Sequence, residues 1–358
     1  MKIALVSPYM TTAFNNPAYY NSQQINIAKN LASLGNQVTI FTKKLDDIKD
    51  EVFDYSNGGS YNIYYLDPVS TFGHWIVLKG LLKKIGHSYD IIMVNEDFQF
   101  TTLQLSYFKK KLRSKLVIFQ GVYEFPEKRF WNIIMRGYSL FFSGYIIKRC
   151  DLVIAKTEAA KVFMEKKGYK EVIRVPIGVD TDIFYRQPLT KKDYFLYVGD
   201  LVKRRDLGTI IKGIKAANKR LLVIGDGEEK EKLKKFAEDL NVDVDFLGKV
   251  ENKLLSKYYS EAQGFIFAST YEIFGMVLLE AMACGCPVIT TPVPATSFFR
   301  KDKELLIFNE GDYKQLANYL NNPNLEKIGK AGEKVAETFS WLNICKKYFS
   351  EFNRILNH

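Results

Sequence analysis

Arg186-Gln187-Pro188-Leu189-Thr190-Lys191-Lys192-Asp193 interrupts the chain near its middle. The stretch is polar, holds a proline and has no apolar period, so it reads as a linker. What flanks it decides the fold. Upstream, short apolar runs at 2–7, 37–41, 61–66, 91–94, 116–119, 152–155 and 172–175 alternate with helix-length amphipathic segments. One such segment carries Ile25, Ala28, Leu31 and Ala32 on a single stripe and stops at Gly35. Downstream the alternation restarts, with runs at 194–198, 221–224, 242–246, 264–267, 287–290 and 305–308. Strand–helix alternation predicts a parallel sheet covered by helices on both faces. A pattern that restarts predicts two doubly wound α/β domains in tandem. Their ligands are expected outside the carboxyl ends of the strands, in a cleft between the two. From Trp341 onward, apolar residues recur at Ile344, Cys345, Tyr348, Phe349, Phe352, Ile355 and Leu356. That helical stripe must pack on something, and a return to the first domain is the expectation. The expected division is therefore 1–185, 186–340 and a terminal helix over 341–358.

Composition removes several classes. The chain has 358 residues, ample for two cores, and 47% apolar content is too high for a disordered protein. Four cysteines, Cys150, Cys284, Cys286 and Cys345, are too few and too scattered for a disulfide framework. Cys284 and Cys286 have no second pair or histidine nearby, so no metal site is expected and packing at a helix end is the reading. The reducing cytoplasm fits this usage. Met1 to Ser7 reads as a buried first strand rather than a secretory leader, and no apolar run approaches the ~20 residues of a membrane span. The net charge of +11 is spread along the chain, heavier before residue 185. Nucleic acid, anionic lipid and an anionic small substrate all suit it, but no nucleic-acid module is present.

The sharpest segment for chemistry is Tyr271-Glu272-Ile273-Phe274-Gly275-Met276-Val277-Leu278-Leu279-Glu280-Ala281-Met282-Ala283-Cys284-Gly285-Cys286-Pro287-Val288-Ile289. It follows a strand, opens a helix near Gly275 and ends it near Gly285. Glu272 falls in the loop and Glu280 in the helix body, roughly 12 Å apart at 1.5 Å per residue. That is the reach of an extended sugar-diphosphate-ribose. Free amides around Phe274, Gly275 and Met276 make an anion site at the positive end of the helix dipole. The plainer alternative is a capping Glu272 and a surface Glu280. Yet the helix is otherwise apolar and offers little solvent face, so Glu280 needs a partner.

This block resembles the E-x7-E signature of retaining glycosyltransferases of family 4, which have the GT-B fold. Other stretches match in order. Gly35-Asn36-Gln37-Val38 resembles the family's first helix-to-strand turn. Asp151 to Thr157 and Pro176 to Phe184 resemble the segment closing the first domain. Val198-Gly199-Asp200-Leu201, Ile224-Gly225-Asp226-Gly227 and Phe246 to Val250 resemble second-domain loops, and Ser340-Trp341 the start of the final helix. The resemblance implies two Rossmann-like domains with an inter-domain cleft, acceptor binding in the first and nucleotide-sugar binding in the second. It implies transfer of a hexose from a nucleotide-diphosphate sugar, with retention, to a glycan or lipid-linked acceptor in polysaccharide or glycolipid synthesis. No cofactor or metal is implied, and UDP is the expected donor nucleotide ahead of GDP.

Carried over position by position, Glu280 is similar to the glutamate on the donor ribose, Glu272 to the one facing the donor sugar, and Phe274 to Met276 to the amides over sugar and phosphate. Gly199, Gly225 and Val250 fall in donor loops. Of the two basic residues the family sets on the pyrophosphate, the first position reads Asp200 here. The second reads Arg205, with Arg204 beside it to share the load through bidentate guanidinium contacts. A plain basic turn is the alternative. Gln120 stands where the family often has a histidine; it can hydrogen-bond a sugar but cannot act as a base. The expected catalytic set is thus Glu272, Arg205 and Gln120. Asn21, Gln23, Gln24 and Tyr123 are expected on the acceptor side, although Asn21 or Ser22 also suits a helix cap.

Two segments, 74–84 and 128–149, mix aromatic, aliphatic and basic residues as interfacial helices do, and as core helices with snorkelling lysines do. A lipid-linked acceptor gives both a purpose, with peripheral contact at the inner face of an anionic membrane. Asp200 keeps a non-catalytic sugar-nucleotide or glycan-binding protein on the same fold as a rival. Paired α/β domains also suit an NAD-dependent oxidoreductase, but the G-x-G-x-x-G after the first strand is absent.

Overall fold

The computed structural model describes residues 1–8, 22–44, 50–72, 75–125 and 129–357. The chain divides into two units, Met1–Ile177 with Trp341–His358, and Gly178–Ser340.

In the first unit the strands are β1 (Lys2–Val6), β2 (Gln37–Lys43), β3 (Glu51–Asp54), β4 (Ser60–Leu66), β5 (Pro68–Phe72), β6 (Trp75–Leu78), β7 (Ile91–Asn95), β8 (Lys115–Gln120), β9 (Leu152–Ala155) and β10 (Val172–Arg174). Eight form one sheet in the order β10-β9-β8-β7-β1-β2-β4-β3. All pairs are parallel except β3 against β4. β1, β7 and β9 are buried along most or all of their length, as parallel strands under helices on both faces must be. The winding reverses between β1 and β7, which makes their carboxyl ends the switch point of this sheet. Helix Trp341–Leu356 packs on helix Gln23–Ser33. Ile344, Cys345, Tyr348 and Phe352 are fully buried there, with Cys345 against the Ile27 carbonyl.

In the second unit β11 (Phe195–Val198), β12 (Leu221–Ile224), β13 (Val244–Gly248), β14 (Gly264–Phe267), β15 (Val288–Thr290) and β16 (Leu306–Ile307) form a parallel sheet in the order β13-β12-β11-β14-β15-β16. Its switch point lies between β11 and β14. The unit boundary falls at Ile177 rather than at 185, because Val179 bridges to Ser340 and Phe184 packs on Tyr259, both within the second unit.

The segment read as a candidate interfacial helix over 74–84 is not one. Trp75–Leu78 is a strand paired antiparallel with β5, and only Leu81–Ile85 is helical. Ile76, Leu78, Leu81 and Ile85 are buried in the core beneath the first sheet. No helix among the described residues is long and apolar enough to cross a membrane.

Candidate active site

The loops after β11 and β14 are tied together across the switch point of the second sheet. The Thr270 amide donates to the Arg204 carbonyl at 3.0 Å, and the Arg204 guanidinium donates to the Tyr271 carbonyl at 3.2 Å. Lys203–Arg205 is a single 3-10 turn that ends where Asp206 caps helix Leu207–Ala217. This turn places the Arg205 guanidinium over the Phe267 ring at 4.8 Å, beside the Ser269 hydroxyl at 3.4 Å and against Glu272 Oε2 at 2.6 Å. Arg204 lies at 3.9 Å from the same carboxylate oxygen. Arg205 is largely buried, and its Nε has no partner, so the guanidinium retains an unused donor.

Glu272 Oε1 accepts the amides of Ile273 at 2.9 Å and Phe274 at 3.4 Å. Both amides lie ahead of helix Met276–Ala283, so Glu272 braces its own loop rather than capping that helix. Gly275 follows at φ 82, a left-handed conformation open to glycine, and helix Met276–Ala283 begins directly after it. Gly275, as the residue before the helix, offers no side-chain cap, and the helix presents its positive end at this loop.

Glu280 lies within the helix and is buried; the Tyr259 hydroxyl donates to its Oε2 at 3.4 Å. Burial pushes its carboxyl up to about 7, only partly opposed by that hydrogen bond. A buried carboxylate with one long neutral partner is under-satisfied, which suits a group waiting for donors from a ligand.

Gly199 and Gly225 cross backbone to backbone. A Cβ on Gly225 would sit 1.9 Å from the Gly199 carbonyl oxygen, so glycine here lets the two loops approach. Val250 is half-buried just after β13, and Asp200 is exposed. Arg205, not residue 200, supplies the cation against Glu272.

In the first unit Gln120 is fully buried at the end of β8. Its Oε1 accepts the Asp97 amide at 3.1 Å and its Nε2 donates to the Val122 carbonyl at 2.8 Å. Each end of the amide has a backbone partner, which fixes its orientation at the end of β8. Gln23 opens its helix under the Ser22 cap, Gln24 is buried and Tyr123 packs half-buried on the core. Asn21 lies outside the described residues.

Sequence reasoning missed the residues around Gln120. Glu96 follows β7 at φ 61 and accepts the amides of Gly121 at 3.0 Å and Val122 at 3.2 Å. Burial pushes its carboxyl up and the ammonium of buried Lys156 down, while the two charges oppose those shifts in each other. Asp97 is fully buried, paired with Lys167 and hydrogen-bonded by the Tyr169 hydroxyl at 3.3 Å. The signal available was Asn95-Glu96-Asp97, three polar residues at the end of an apolar strand at the switch point. Among the described residues no group of three potential ligands could hold a metal ion, and burial pushes the thiols of Cys284 and Cys286 up.

Comparison with known proteins bears on both units. The family profile described as glycosyltransferase family 4 matches residues 23–183, and that of glycosyl transferases group 1 matches 180–334. Alpha-monoglucosyldiacylglycerol synthase of Acholeplasma laidlawii is 26% identical over 212 residues, 50% of this chain and 51% of that protein. The chain spans little more than half the length of several curated relatives it matches. Among solved structures, sucrose-phosphate synthase of Thermosynechococcus elongatus superposes with a TM-score of 0.76 at 20% identity, covering 100% of this chain and 99% of that one. HepE of Anabaena, in complex with UDP and glucose, gives 0.71 at 15% identity over 99% and 100%.

Proposed function

This chain belongs to the group 1 glycosyltransferases of family 4 and has the GT-B fold, and we propose that it moves a hexose from a nucleotide-diphosphate sugar to a glycan or lipid-linked acceptor with retention of configuration. The second unit binds the donor and the first binds the acceptor. The observation that carries this reading is one cluster: a largely buried Arg205 against Glu272, beside the start of helix Met276–Ala283, with buried Glu280 eight positions beyond Glu272. Glu280 accepts hydrogen bonds from the ribose hydroxyls. Arg205 and the amides at Gly275 and Met276 take up negative charge as the diphosphate leaves. Glu272 faces the sugar. The departing diphosphate receives the acceptor proton, so no separate carboxylate base is required. UDP is the donor nucleotide we favour, since HepE, a structural relative, carries UDP. Asp200 motivates the non-catalytic rival, and the cation that Arg205 supplies in its place supports the enzymatic reading.

The test is thermal stability of wild-type and Glu280→Ala protein with UDP, GDP, ADP and their sugars, without added metal. A ligand at 100 times its dissociation constant should add ~2.7 kcal/mol. One nucleotide is expected to raise Tm in the wild type and not in the variant, and turnover is then measured with its sugars. A wild-type rate from Glu280→Ala would remove the assignment.

The raised Glu280 carboxyl sets a pH dependence. The native protein keeps this proton between the ordinary 4.5 and about 7, where the unfolded chain has released it. The contribution to stability is therefore full below about 4.5 and lost as pH rises toward about 7, roughly 3 kcal/mol in all. Urea titrations should show wild type losing stability relative to Glu280→Gln across that window. Ribose hydroxyls need the ionised carboxylate, so nucleotide affinity should weaken below about pH 7, approaching tenfold per unit, and Glu280→Gln should abolish this slope.

A further inference from the structure

Helix Arg129–Tyr138 runs through a π-helical turn, Ser139–Ser143, into Gly144–Ile147. Its inner side is fixed. Tyr138 and Ile146 are buried, and the Tyr138 hydroxyl donates to the Gln99 carbonyl at 3.0 Å. The outer side is also apolar. Phe130 and Ile133 are each 62% exposed, Leu140 81% and Phe141 76%. In the π turn Leu140 and Phe141 face outward in succession, while Phe142 packs on the ring of buried Tyr138 at 5.1 Å. Beside it, Tyr107 is 66% exposed and stacks on Tyr145. A ridge of this size on a water-soluble surface marks a contact site.

Charge identifies what covers it. From Arg129 to Cys150 there is no acidic residue, and four basic ones, Arg129, Arg136, Lys148 and Arg149, accompany the ridge. Arg129, Arg136 and Lys148 are exposed with it. Arg149 lies over the Tyr145 ring at 3.5 Å. Protruding aliphatic and phenyl groups, tyrosines at their margin and cations with no acid among them match the depth profile of a bilayer interface with anionic headgroups. A protein partner of ordinary composition would meet acids as well as bases.

We propose that this ridge is a docking surface for anionic membranes, with Leu140 and Phe141 inserting among the acyl chains and the flanking cations meeting the headgroups. Two weak signals, shallow insertion and charge, act together, as reversible anchoring requires. The inference does not depend on the reaction proposed above.

The test is co-sedimentation of the full chain with phosphatidylcholine vesicles, with and without about one third phosphatidylglycerol. Wild type is expected to bind the anionic vesicles, and added salt should weaken it. The double variant Leu140→Glu, Phe141→Glu should partition at least about tenfold less. Its Tm and nucleotide response should be unchanged, since both side chains already face water. Arg136→Glu, Lys148→Glu should lose only the preference for anionic lipid. Equal binding to both vesicle types, no binding, or unchanged binding by the Leu140/Phe141 variant would overturn the proposal. So would a concentration-dependent dimer of wild type that this variant abolishes, which would assign the ridge to self-association.

Discussion

Arg205→Ala is expected to slow sugar transfer about 10²–10³-fold, with kcat falling more than the donor KM rises. The reason lies in when the charge appears. In the bound donor the diphosphate shares its charge with the sugar ester; as the glycosidic bond breaks, a full extra charge collects on the leaving oxygen. In the role proposed for it, a guanidinium already fixed by the Phe267 face, the Ser269 hydroxyl and Glu272 would answer that charge without having to reorganise. Arg205→Lys keeps the charge and loses the planar fork, so it should recover only part of the rate. Steady-state kinetics with the sugar nucleotide found by thermal shift decide the matter. An Arg205→Ala rate within about threefold of wild type would mean that the turn at 203–205 is merely basic.

The second large effect concerns stability. Asp97→Ala should cost about 3–5 kcal/mol, because it strands Lys167 beside a site from which water is excluded. Asp97 receives Lys167 and the Tyr169 hydroxyl, both from the stretch after helix Glu158–Lys166, so it pins that stretch to the end of β7. The loss falls in the first unit, where it should lower Tm by roughly 6–20 °C. Adding Lys167→Met to Asp97→Ala should recover much of it, since no charge is then left unpaired. A single variant as stable as wild type, measured by calorimetry, would mean that the pair is not excluded from water.

These two residues differ in how visible they were beforehand. Arg205 is legible because Lys203-Arg204-Arg205 closely follows a strand, and because the Glu272 to Ile289 block resembles a known signature. Asp97 is not, because nothing local distinguishes a buried aspartate from a turn residue; its partner Lys167 is brought to it by the winding of the sheet. Parallel strands such as β1, β7, β9 and β14 were readable as apolar runs, while β4 and β13 carry polar residues within them. β3 was missed because it is short and exposed along its length. Trp75–Leu78 was misread because Trp75 to Lys84 fits a helix as well as a strand, and only pairing with β5 settles the choice. Gln120 ends an apolar strand, but no pattern in one dimension reveals that its amide holds the Asp97 amide and the Val122 carbonyl.

The first unit is made from two stretches of chain with the whole second unit between them. Synthesis therefore delivers all of Gly178–Ser340 before it delivers the helix that covers Gln23–Ser33. On the ribosome the later unit can close as soon as it emerges, while the earlier one waits, with Ile27 and Leu31 unshielded, for Ile344 to Phe352. A released chain that ends near residue 340 should accordingly carry a protease-resistant second unit and a chaperone-binding first one. The half that begins to form first is the last to be finished.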